Sequence, residues 1–139
     1  MSQENGGPAE EPSGHVLAEI STELVGLHHR VYGKGPSKAK SYFVDDTVVC
    51  LLRGGLTTAE QTLVDKDDAT VVQRLREDLQ KAMEEPAKAI VSKATGRGVI
   101  ARVSQVQPDV DLAVEVFVLE PPSAGYPEPP PHEAAGLRE

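Results

Sequence analysis

The sequence predicts an α+β fold: a four-stranded antiparallel sheet with helices on one face, in the order αββ-αββ. Three observations predict it. Apolar residues recur at helical spacing in two long segments. Four shorter runs are rich in Val, Ile, Phe and Leu. Turn residues separate the runs in pairs, so the strands come as two hairpins.

The first helix is read from HVLAEISTELVGLHHRVYG. Leu17, Ile20, Leu24, Leu27 and Val31 fall on one helical face, and Gly33 is placed as a left-handed cap. In SYFVDDTVVCLLRG two β-rich runs flank Asp45-Asp46, the mark of a tight hairpin. VVCLL is apolar on both faces, which suits a central strand. LTTAEQTLV carries a capping box between Thr57 and Glu60, so a short helix should begin at Thr58.

Asp65 to Asp68 interrupt that helix, and a longer one starts near Ala69, with Asp67 or Asp68 expected to cap it. Pro86 lies inside its apolar pattern and predicts a kink or a restart. Gly96 ends the segment. GVIARVSQVQ and DLAVEVFVLE supply the second hairpin, turning near Pro108-Asp109. In the last strand Leu112, Val114, Val116 and Val118 alternate with the other face.

The halves match at an offset of 63 residues: Gly33-Lys34-Gly35 with Gly96-Arg97-Gly98, Ile20 with Met83, Leu27 with Ile90. An internal duplication explains this; so does chance likeness between two ordinary αββ units. Either way, each half offers an apolar helix stripe to an apolar sheet face.

At 139 residues the chain suits one domain, read as 14–120 between tails 1–13 and 121–139. Pro, Gly, Glu and Ala dominate both tails, which predicts disorder; the PEPPP run favours an extended, solvated segment. The net charge is −8, yet the two tails hold most of it, leaving −2 for residues 14–119. No general basic face is left for nucleic acid. No apolar run approaches the ~20 residues that span a bilayer, and MSQENGGPAEEPSG has no secretory signal pattern. With a single cysteine, Cys50, the expected setting is the cytosol.

GKGPSKAK invites a phosphate-loop reading. The spacing fails G-x-x-x-x-G-K-[ST], and the stretch follows a helix, whose carbonyl end repels anions. Gly33 and Gly35 are cap and turn. The cations remain: Arg30, Lys34, Lys38 and Lys40 lie between His28 and Lys40 with no acid among them. Part of this charge complements the helix end. The rest is read as a basic edge for a protein partner, an anion or anionic lipid, with Lys38 and Lys40 on one face of an extended segment.

Other clusters point to no chemistry. Adjacent His28 and His29 point about 100° apart on a helix and do not chelate one metal. Asp45-Asp46 and Asp109–Asp111 are turn residues. Cys50 in an apolar strand is a packed, inert thiol. No cofactor, metal or catalytic set is expected, and whether the chain is an enzyme stays open, more on the side of none. If it is one, the lysines would bind an anionic small molecule and Glu60 or Glu115 would act as base.

Three segments carry a family resemblance: H-x-x-Y-G-K-G-P-x-K-A-K, V-V-C-L-L-R-G-G-L-T-x-A-E-x-x-L, and T-G-R-x-V followed by E-V-F-V-L-E. Together they resemble the MpsC family over roughly residues 14–120. The family is named for a sodium-translocating, membrane-potential-generating system linked to bicarbonate supply. The resemblance implies a bacterial, transport-associated protein at the inner face of the membrane, not inserted in it, with a transport component as partner. It carries over no catalytic residue. Its recurrent positions are Tyr32, Gly33, Gly35, Pro36, Lys38, Lys40, Leu56, Thr57, Glu60, Gly96 and Glu115; Gly54-Gly55 departs from them, in a turn it would loosen. Homo-dimers or larger homo-oligomers, joined by strand pairing at the sheet edges, are the remaining alternative.

Overall fold

The computed structural model describes residues 11–122. The tail expectations for 1–13 and 121–139 fall almost entirely outside the described residues. The chain runs α1 (Gly14–Tyr32), β1 (Lys38–Val44), β2 (Thr47–Arg53), α2 (Thr58–Asp65), α3 (Ala69–Ala82), α4 (Glu84–Thr95), β3 (Val99–Gln107), a 3-10 turn (Pro108–Val110) and β4 (Leu112–Leu119). The fold is α+β, as the periodicities predict. One sheet holds all four strands in the order β1-β2-β4-β3, and every pairing is antiparallel.

The local signals act as expected at most element ends. Ser13 caps α1 by accepting from the Val16 amide, and Gly33 closes it at φ 82°. Asp45 and Asp46 both take positive φ in the β1–β2 turn, the geometry a two-residue hairpin requires. The Thr57–Glu60 capping box is complete and starts α2 at Thr58. Pro86 falls in the first turn of α4, where its missing N–H costs no helical bond, so the chain restarts at Met83 instead of kinking. Asp68 stands at the N-cap of α3 but its side chain makes no capping bond, against expectation. Its amide instead closes onto the Leu63 carbonyl and its own carbonyl accepts from Val71, so backbone turns start the helix.

One face of the sheet meets the helices. Val48, Cys50 and Leu52 of β2 and Ala113, Phe117 and Leu119 of β4 pack there against Ile20, Leu24 and Leu27 of α1 and Met83, Ala87 and Val91. The burial is alternate along β2 and β4, so the other set of side chains turns away. In β4 that outward set is Leu112, Val114, Val116 and Val118, while the helix-facing set includes a glutamate, Glu115. The alternation read from the sequence is present, but the more uniformly apolar set is on the open face.

The two hairpins meet through β2 and β4, leaving β1 and β3 as edges. β3 is irregular between Val99 and Ala101 and carries Arg102, whereas β1 keeps an unbroken seven-residue register with β2. A bulge and an inward charge guard the β3 edge.

Candidate docking surface

The β1–β2 register places Lys38 opposite Arg53, Lys40 opposite Leu51 and Tyr42 opposite Val49. Residues directly opposite share a face, and the burial pattern puts this set on the open side. Lys38, Lys40 and Arg53 are exposed. None forms an ion pair with any of the described residues. The Lys40 ammonium lies 5.8 Å from the centroid of the Tyr42 ring, a cation–π distance of small exposed value.

The other two predicted cations belong to the end of α1. Arg30 is exposed in its last turn, where a positive charge complements the helix dipole. The Lys34 ammonium donates to the Leu56 carbonyl at 2.9 Å, which fastens the chain after α1 to the loop before α2. The structure thus brings Lys38 and Lys40 together on β1 and adds Arg53, which the sequence reading did not single out. Only the strand register reveals Arg53; as the last residue of VVCLLR it carries no local mark of its face.

Beside this cluster runs a groove of about 720 Å³ between the first turns of α1 and β1. Leu17, Ala18, Ala39 and Phe43 line it together with Ser21, Ser41, Lys40 and Tyr42. Its volume is in the range of small-molecule sites. Ser21 and Ser41 are joined by a 2.8 Å hydrogen bond, and burial pushes the nearby Cys50 thiol above its ordinary value.

Under the helices lie two arginine–glutamate pairs. Arg76 of α3 grips Glu60 of α2 through Nε at 2.7 Å and a terminal nitrogen at 2.6 Å, and also donates to the Gly55 carbonyl. Its guanidinium carbon is 3.6 Å from the centroid of the Tyr32 ring. Burial alone would raise the Glu60 carboxyl, but hydrogen bonds from Arg76 and Thr57 outweigh it and hold the group below the usual range. Burial raises the Tyr32 hydroxyl. Arg102 of β3 holds Glu115 of β4 with two bonds, at 2.8 and 3.1 Å, and reaches Glu84 of α4 at 2.9 Å and the Gln80 side chain. His28 of α1 completes this group, its Nε2 3.4 Å from Glu115.

Glu60 and Glu115 are therefore the acceptors that keep two buried guanidinium groups paired. The space beside His28 and Arg76 measures about 10 Å³, room for about one water. Among the described residues both carboxylates are buried, at 5% and 0% exposure, against their arginine partners. The Arg76 pair joins α2 to α3, and the Arg102 group ties α1, α3 and α4 to β3 and β4.

A family model described as Na+-translocating membrane potential-generating system (MpsC) matches residues 13–121, a span that takes in every described helix and strand. No curated protein and no solved structure gives a significant match.

Proposed function

The chain belongs to the MpsC family, and we propose that it serves a Na+-translocating membrane-potential system as a non-enzymatic accessory protein that docks an anionic partner. The docking element is the β1–β2 end of the open sheet face. The observation that carries this reading is the like-charged set Lys38, Lys40 and Arg53, exposed and without a counter-charge among the described residues. Placing two like charges opposite one another on neighbouring strands is unfavourable within the chain alone. A partner carboxylate or phosphate offsets that cost.

Among the described residues no helix is long and apolar enough to cross a membrane. A transport component would therefore be met at its exposed surface, and a basic patch is the complement of an acidic loop. Arg30 and Lys34 extend the same sign of charge toward the end of α1.

The test is capture from a membrane extract of the native host, comparing the wild type with Lys38→Glu/Lys40→Glu. The expected result is one transport-system component retained by the wild type and released by the double variant. Equal capture by both proteins removes these lysines from the interface. A metabolite that raises the melting temperature and is then consumed would replace the accessory role with an enzymatic one.

A further inference from the structure

We propose that the open face of the sheet is covered by a second copy of this chain, stacked face to face. This goes beyond the docking role, which uses the charged end of the face; the stacking uses its middle. At the centre stand Val49 and Leu51 of β2 and Val114 and Val116 of β4, flanked by Tyr42 of β1 and Val103 of β3. Val103 is 60% exposed and Tyr42 46%. α1 and α4 pack against the other side, and α3 meets that side through Gln80 and Arg102.

The size of the face suits this occupant. Four strands spaced about 4.8 Å apart, each about seven residues at ~3.4 Å, give roughly 450 Å² of flat area. Two such faces with side-chain relief remove on the order of 1,000 Å² from water, the area at which a specific interface begins. Single folded chains seldom leave an apolar patch of several hundred Å² unused.

The composition of the face suits it too. The four central residues carry no charge, while Lys38, Lys40, Arg53, Gln105 and Gln107 stand at the margins, Lys40 on the edge strand β1 directly beside Leu51. That is the anatomy of a dry centre with a polar rim. Sheets with apolar faces stack at about 10 Å separation with interdigitated side chains, and a twofold axis lets one face serve both partners. The rest of the chain is poorly equipped to cover it. MSQENGGPAE contains one large apolar side chain, Met1, and SAGYPEPPPHEAAGLRE only Tyr126 and Leu137. At the rim, Lys38, Lys40 and Arg53 remain open to the partner proposed above.

The experiment is sedimentation equilibrium of the full chain from low to high micromolar concentration. The expected species has twice the 14.9 kDa chain mass. Val116→Lys puts an unpaired charge at the centre and should raise the dissociation constant on the order of 100-fold. Val103→Lys, at a position already well exposed on an edge strand, tests the same face with little risk to folding and should act in the same direction. Cooperative thermal unfolding verifies that each variant is folded, and Lys38→Glu, in the end row of the face opposite Arg53, should leave the dimer mass unchanged. A wild type that is monomeric throughout overturns the proposal. So does a dimer that survives in both folded variants, which would assign association to an edge such as β1. A monomer that sediments with anionic vesicles through Val116 would give the face to lipid and overturn it as well.

Discussion

Lys38 stands directly across from Arg53 in the β1–β2 register, two exposed cations on the same side of the sheet with no carboxylate paired to either among the described residues. Charge reversal at Lys38 should therefore separate folding from docking. Lys38→Glu places an opposite charge across from Arg53, an arrangement worth roughly 0.2–1 kcal/mol. Urea unfolding should show a midpoint equal to or slightly above that of the wild type, while capture of the partner falls. A variant that is clearly less stable would mean that Lys38 has a structural role after all.

Glu60 predicts the acid limb of the stability curve. In the folded chain its carboxyl lies below the ordinary range, while the unfolded group titrates near ~4.3. The folded state thus binds fewer protons than the unfolded one in that interval, and stability rises with pH across it. The contribution is complete above about pH 5 and is lost as pH falls through the depressed value. Glu60→Gln leaves Arg76 buried without its counter-charge, a loss on the order of 3 kcal/mol at neutral pH. Its stability should also change less than that of the wild type below about pH 5. Chemical denaturation at several pH values measures both effects, and an acid limb of unchanged steepness would rule Glu60 out as its source.

Gly54 sits at φ 75°, and a Cβ there would lie 2.2 Å from the Ser37 hydroxyl oxygen. Backbone strain and contact act together, so Gly54→Ala should cost about 1–3 kcal/mol. Gly33 has a similar φ of 82° but open space around it, so Gly33→Ala should cost only about 1 kcal/mol. Equal losses in the two variants would show that Ser37 simply moves aside. The close approach of Ser37 to Gly54 is the contact a side chain there would displace.

Asp111 reaches across 55 and 56 residues to accept from the Leu56 and Gly55 amides, at 3.1 and 2.9 Å. Its acceptor oxygen ties the β3–β4 turn to the loop that leads into α2. Asp111→Ala strands both partly buried amides, and a loss of about 1–3 kcal/mol follows. Amide exchange should accelerate at Gly55 and Leu56 well before it does in β2. Protection that persists at both amides would contradict this assignment.

Local chemistry was legible where the deciding partner lies within a few residues. The Thr57–Glu60 box, the Gly33 and Gly96 caps and the Asp45-Asp46 turn are all of that kind. Asp68 was misread because backbone turns outcompeted its side chain at the start of α3. The faces of β4 could not be assigned, since a period of two says which residues go together and not which set goes inward. Glu115 was the clue against intuition: it turns inward because Arg102 waits on the next strand. Long-range pairs such as His28–Glu115, 87 residues apart, leave no local trace. The cationic site was half legible: Lys38 and Lys40 from their spacing, Arg53 only from the register.

The one thiol of this chain, Cys50, is sealed between sheet and helices. Sealed and held protonated, it is unreactive until that layer parts. A thiol-specific dye will therefore label the wild-type protein only as often as α1 lifts from the sheet, turning a packing detail into a clock for the opening of the core. No engineered probe is needed to time that motion with the partner bound and free.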